Sequence, residues 1–279
     1  MIVWMYPGQP LAYSEKLPDD AEASAITELV FKSTGFNLEK FRWSGKEEDL
    51  QTSLQVYGCG MSLYKTALLK NSSHSPAMIA EHSMGIYPAL AACGSIDAGD
   101  AVELTWRIGR ELSKMSEKIE YAFTCVVGLT LSHIASLVEN NGVYIANYNA
   151  SRHFLLAGEA GKIKGAITEA LAMGAFSVKE FPADAPIHTP LIEEITGALQ
   201  AIIASYSFKE PIIPMMEHYS QSYLKKKAIP DFLLKELCLP VQWEATYLAL
   251  RKAGITSWQE VGAGDSLMKY NRWIAGEQR

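Results

Sequence analysis

The stretch IAEHSMGIYPAL, residues 79–90, places Ser83 between a histidine and a Met-Gly pair directly after an apolar run. It nearly spells G-x-S-x-G, the strand–turn–helix elbow that lifts a serine hydroxyl out of an α/β sheet to attack an acyl carbonyl. Gly85 holds the last position of that pattern, but Glu81 stands at the first. A carboxylate there must reach solvent or find a partner. On the residues alone Ser83 fits two roles, a nucleophile or a helix N-cap. A nucleophile needs an oriented base to take its proton. The histidines are His74, His82, His133, His153, His188 and His218. His82 adjoins Ser83, and adjacent side chains in an elbow diverge. His133 falls on a helix face, His153 begins a strand, and His74 and His218 lie in polar connections. His188, in ADAPIHTPL, sits between Pro186 and Pro190 on a stiff loop. It is the candidate base, with a satisfied structural histidine as its other reading.

The surrounding elements must position these two side chains. MIVWMY predicts a buried strand ended by Pro7-Gly8, and SPAMIAEHS a second, parallel one. Apolar spacings of three and four predict helices over 20–33 and 45–70. GIYPALAACG opens a helix after the elbow, and SIDAGDAVELTWRIGRELSKMSEK continues as a longer one. From 119 to 183 the order is strand, helix, two strands, helix, strand, the ferredoxin-like βαββαβ pattern. It predicts a small domain over 119–183, inserted in an α/β large domain made of 1–118 and 184–279. A helix over 190–207, a Pro-rich connector, a helix over 243–254 and a strand in WQEVGAG complete the expectation.

With 279 residues, 48% of them apolar, the chain can build one large domain and a small one. A net charge of −6 argues against a nucleic-acid partner, which would call for a basic surface. No apolar run approaches the ~20 residues of a membrane helix, and MIVWMYPG is too short for a signal peptide and lacks its basic start. Cys59, Cys93, Cys125 and Cys238 form no C-x-x-C pair and read as free thiols of a cytoplasmic protein rather than disulfides or metal ligands.

Five stretches occur in one order: YPGQP at 6–10, IAEHSMGIYPALAACGSIDAGDAV at 79–102, IANYNASRHFLLAGE at 145–159, APIHTPLI at 185–192 and EVGAGDSL at 260–267. Together they resemble the malonyl-CoA:acyl carrier protein transacylase family, which includes the acyltransferase domains of polyketide and fatty acid synthases. The resemblance spans nearly the whole chain. It implies an α/β-hydrolase-like core with a ferredoxin-like insert, no cofactor or metal, and a protein that is usually monomeric. It implies ping-pong acyl transfer from acyl-CoA through an ester on Ser83, with His188 as base. The backbone N–H groups of Gln9 and Met84 would form the oxyanion hole, each donor worth ~3 kcal/mol of barrier. The acceptor would be the phosphopantetheine thiol of an acyl carrier protein. In this family the histidine is usually held by a backbone carbonyl, so no third catalytic side chain is expected. Asn149 matches a motif asparagine near the substrate, as His82 matches the elbow histidine; Asn149 also reads as a turn residue capping its own backbone.

The departures gather near the site. Pro10 replaces a glycine, Glu81 the elbow glycine, Ile86 a glutamate and Asp265 a lysine. The most informative lies in WRIGREL, where the arginine that clamps malonyl carboxylates falls on Ile108, with Arg107 and Arg110 on either side. Neighbours one and two residues away point about 100° and 200° around a helix and cannot replace it. An isoleucine makes the pocket apolar, which predicts a neutral acyl group. Two other functions stay open: a hydrolase that clears acylated carrier proteins with the same serine, and a weak homologue acting as a subunit. Carrier proteins are acidic, so Lys225-Lys226-Lys227 or the Arg107/Arg110/Lys114 group are candidate docking patches.

Overall fold

The computed structural model describes residues 1–10, 15–42, 51–72 and 75–277. His74 and the front of the helix expected over 45–70 lie outside them. The chain runs through β1 (Ile2–Tyr6), α1 (Ala21–Thr34), α2 (Gln51–Asn71), β2 (Met78–Glu81), α3 (Ile86–Ala92) and α4 (Ala98–Ser113). It continues through β3 (Tyr121–Val127), α5 (Leu131–Asn141), β4 (Tyr144–Ala150), β5 (His153–Glu159), α6 (Ala160–Ala172) and β6 (Ser177–Ala183). It closes with α7 (Thr196–Ile203), β7 (Met215–Met216), α8 (Ile229–Cys238), β8 (Val241–Gln242), α9 (Trp243–Lys252), β9 (Ser257–Glu260) and α10 (Ser266–Glu277).

The fold is mixed α/β, built on two sheets. The first is parallel, in the order β7-β2-β1-β9. Alternate residues of a strand face opposite sides, and β1 is apolar on both. Trp4 and Tyr6 enter the larger core with α1 to α4, α7 and α8, while Val3 and Met5 enter a second core under α9 and α10. That two-sided burial is why MIVWMY reads as an unbroken apolar run. Because β1 and β2 run parallel with Tyr6 opposite Glu81, their C-terminal ends deliver their loops to the same rim, where the elbow lies.

The second sheet runs β6-β3-β5-β4-β8, with β3, β4, β5 and β6 antiparallel. Helices α5 and α6 cover one face around Ile134, Leu137, Phe154, Leu156 and Ile163. The βαββαβ order is the ferredoxin-like one. A fifth strand, β8, pairs parallel with β4 at Asn147–Val241 and Tyr148–Gln242, so this sheet is stitched to the later part of the chain.

Several expectations change in detail. The stretch expected as one helix over 190–207 starts as a 3-10 turn, Pro190–Ile195, because Pro190 and the Thr189 cap tighten its entry. The helix before the insert ends at Ser113 in another 3-10 turn. The Pro-rich connector contains α8, which starts at Ile229 with Pro230, a residue favoured in the first turn of a helix, directly after it. No helix among the described residues is long and apolar enough to cross a membrane.

Candidate active site

Strand β2 ends at Glu81, and the chain turns sharply through His82 and Ser83 into α3. Ser83 has φ 55°, the left-handed region that side-chain-bearing residues seldom occupy. Two contacts hold the turn: the His82 N–H donates to the Tyr6 carbonyl at 3.0 Å, and the Gly85 N–H to the His82 carbonyl at 3.1 Å. Gly85 has no room for a side chain, since a Cβ would stand 2.7 Å from the Pro7 carbonyl oxygen and closer still to that of Tyr6. The Pro7-Gly8-Gln9 loop lies against the elbow from the other side; a Cβ on Gly8 would meet Ser83 Cβ at 3.3 Å and His82 Nδ1 at 2.9 Å. Glycines thus permit the close approach of two loops.

His188 meets Ser83 across this elbow, with Nε2 2.6 Å from Oγ. Its Nδ1 lies 2.6 Å from the Glu236 carbonyl oxygen, and its backbone N–H donates to the Leu237 carbonyl at 2.7 Å. A carbonyl can only accept, so Nδ1 carries the proton and the Nε2 lone pair faces the serine hydroxyl. That tautomer is the one a general base needs. The end of α8, absent from the sequence expectation, is what orients it. Burial, and next the neighbouring His218, push the His188 imidazole down to about 3. It is therefore neutral and free to accept a proton at ordinary pH.

Glu81 reaches no solvent. It is fully buried and accepts the His218 backbone N–H at 3.0 Å and the His218 Nδ1–H at 2.8 and 3.0 Å. The polar connection expected around His218 is thus a buried one. Burial pushes the Glu81 carboxyl upward and the His218 ring downward. Sequence reading missed His218. The available signal was the glutamate itself, a carboxylate at a glycine position that must meet a donor.

The remaining candidates are spread around this centre. Met84 is buried in the turn Ser83–Gly85. The Gln9 side chain takes a hydrogen bond from Gln55 Nε2 at 2.9 Å and donates to Gln51 Oε1. His82 and Asn149 face each other, His82 Nε2 lying 3.0 Å from Asn149 Oδ1, and Asn147 Nδ2 is 3.3 Å from the same nitrogen. Asn149 also meets His153, whose other ring nitrogen is 3.2 Å from Cys125 Sγ. These groups tie the elbow to the second sheet. His133 bonds Thr130 on the surface of α5.

Ile108 is buried in the large core on α4. Its neighbours turn away, as helix geometry requires. Arg107 donates to Ser205 and Tyr206, and Arg110 lies over the Trp106 ring at 5.6 Å. A narrow cleft of about 20 Å³ is lined by Gly109 and Leu112 of the same helix with Gln9, Phe123, Asp184 and Ile187 among others; it holds no lysine or arginine, and Ile108 itself belongs to the core and not to that lining. Burial pushes the Asp184 carboxyl up to about 6. Among the described residues no group of three or more His, Cys, Asp or Glu could hold a metal ion.

A serine in a strained elbow, a neutral histidine on its hydroxyl and a carbonyl behind that histidine define an acyl-transfer type of site. The Acyl transferase domain family matches residues 19–264, and the chain belongs to it. The malonyl CoA-acyl carrier protein transacylase of Escherichia coli K12 is 27% identical over 277 residues, covering 95% of this chain and 89% of that protein. The transacylase structure from Coxiella burnetii superposes with a TM-score of 0.90 at 22% identity, over 99% of this chain and 91% of the other. A structure described as a type II PKS acyl-carrier protein in complex with its malonyl-transacylase superposes with a TM-score of 0.89, also at 22% identity, over 99% and 93%.

Proposed function

We propose that this protein is a cytoplasmic acyltransferase that passes a neutral acyl group from acyl-CoA, or from an acyl carrier protein, to the phosphopantetheine thiol of a carrier protein. The observation that carries the reading is the 2.6 Å contact between Ser83 Oγ and His188 Nε2, with Nδ1 held on the Glu236 carbonyl. Ser83 Oγ attacks the thioester carbonyl as its proton passes to Nε2. The C–S bond breaks, and the thiolate leaves with the proton that His188 returns. The acceptor thiol then repeats the sequence on the seryl ester, and Ser83 regains its proton. The backbone N–H groups of Gln9 and Met84 serve the oxyanion, which preorganised donors stabilise.

The names of the relatives favour malonyl transfer, whereas the position of Ile108 favours a neutral acyl group. A malonate carboxylate in a cleft that holds Asp184 and no lysine or arginine would lose several kcal/mol of solvation. Brief incubation with acetyl-, butyryl-, octanoyl- and malonyl-CoA, read by intact mass with Ser83→Ala as control, tests the proposal. A neutral adduct that needs Ser83 and persists until carrier protein is added supports it. Rapid decay of the adduct to free acid, with CoA accumulating beyond one equivalent of protein, would make the protein a hydrolase. A dominant malonyl adduct would overturn the neutral preference.

A further inference from the structure

Two carboxyls lie buried beside the dyad, and the chemistry above uses neither side chain. Glu81 and Glu236 are 0% and 1% exposed. They differ in what meets them. Glu81 accepts two N–H groups of His218. Neither carboxyl oxygen of Glu236 has a hydrogen-bond partner among the described residues, although Oε2 lies 3.8 Å from His188 Nδ1. A buried carboxylate without donors is far costlier than a protonated one. Glu236 is thus the carboxyl that keeps its proton, and Glu81 is the one that ionises first.

The state of His218 follows from its other nitrogen. Nε2 is buried and has no partner among the described residues. A proton there would leave a donor unpaired in the core, whereas a bare lone pair loses less. The proton therefore sits on Nδ1, toward Glu81. The neutral ring stands edge-on to His188, with centroids 6.3 Å apart and planes at 89°, and Phe232 packs against it at 5.5 Å. The other titratable groups around it are occupied or neutral. Glu217 accepts the backbone N–H groups of Tyr219, Ser220 and Ser222. Burial keeps the Tyr87 hydroxyl protonated, and His82 is held by Asn149.

We propose that Glu81 is the counter-charge of the serine–histidine dyad, set against His188 through a neutral His218. The proposal rests on the acyl-transfer reading above. When the Ser83 hydroxyl proton passes to His188 Nε2, the imidazolium forms in a buried site and needs a negative charge nearby. Burial pushes the Glu81 carboxyl upward, and the two His218 N–H groups are what hold its anion against that push; ionised, Glu81 supplies this charge. Glu81 and His218 are positioning residues, since both act through His188.

Fluorophosphonate labelling of Ser83 across a pH series, read by intact mass, follows His188 without any acyl donor. Glu81→Gln keeps the shape and an acceptor for the His218 N–H but removes the charge. The imidazolium becomes harder to form, so the labelling plateau falls about tenfold and its acid limb moves down by about one pH unit. Glu81→Asp restores part of both. His218→Phe keeps the ring packing, loses the Nδ1–H and gives the same change; it serves if Glu81→Gln does not fold. An unchanged plateau and limb in folded variants would overturn the proposal. So would a shift carried by Glu236→Gln and absent from Glu81→Gln. Wild-type protein that labels yet takes no acyl group from CoA counts against the acyl-transfer reading alone, while the pH comparison still decides the counter-charge.

Discussion

Ser83 and His188 both adopt left-handed backbone, with φ 55° and 63°, and their side chains meet at 2.6 Å. Each such conformation costs ~1–3 kcal/mol and persists where its surroundings over-determine it. Here the surroundings are the Tyr6 carbonyl for the elbow and the Leu237 carbonyl for the histidine loop. The dyad is therefore a product of backbone shape, set before any substrate arrives.

Removal of either partner should cut turnover sharply without unfolding the chain. Ser83→Ala is expected to give no acyl adduct with any acyl-CoA. His188→Ala should slow adduct formation by roughly 10²–10⁴-fold, the usual contribution of a general base. Quench-flow mass spectrometry measures both. A His188→Ala protein that loads at the wild-type rate would remove the histidine from the mechanism.

The pH dependence has a definite sign. Burial lowers the His188 pKa, so the ring stays unprotonated, and able to act as base, below the point where a free imidazole gains its proton. Single-turnover loading of wild-type protein should thus hold its rate as the pH falls through ~6.5, the ordinary histidine value. An acid limb centred there would show that His188 is solvated in the working enzyme.

The proposal of a neutral acyl group rests on Ile108. Wild-type protein is expected to prefer acetyl- over malonyl-CoA by about 100-fold in kcat/KM, the scale of one unpaired buried charge. Ile108→Arg should narrow that gap at least tenfold if its longer side chain reaches the cleft that Gly109 and Leu112 of the same helix line. It should also lower Tm, because the side chain sits in the large core. A gap that the arginine leaves untouched would mean that selection lies elsewhere in the cleft.

Gly85→Ala is predicted to destabilise the fold by about 3 kcal/mol, since its Cβ would press on two backbone carbonyls that cannot swing aside. Thermal unfolding gives the number. A shift of less than a degree would show that β1 and the elbow can separate.

Docking should be separable from loading. Lys225 lies 3.6 Å from Glu210, whose carboxylate also accepts the Lys226 backbone N–H, so this patch is partly neutralised at rest. Replacement of Lys225, Lys226 and Lys227 by alanine is expected to weaken transfer to carrier protein while acyl-CoA loading stays unchanged. Equal effects on both steps would exclude the run as a docking surface.

Much of this arrangement was legible from the residues. The two-sided apolar run at β1, the βαββαβ order and the elbow around Ser83 are local patterns, and local patterns survive in sequence. His188 could be singled out because two prolines stiffen its loop. The partners that orient the dyad were not legible. Glu236 acts on His188 through its backbone carbonyl, which every residue type carries. Glu81 and His218 are 137 residues apart, and nothing in either neighbourhood announces the other. Helix α8 was hidden by the prolines around it, and β7 and β8 are too short to show a period.

The pairing of β8 with β4 is only two residues long. The seam is one of several ties between that sheet and the rest of the chain: His82 meets Asn147 and Asn149, and Gln51 bonds Asp184 and the Pro182 carbonyl. Ser83 and His188 both stand outside that sheet, so the pair is assembled on one side of the seam, and a change in the sheet reaches it through His82.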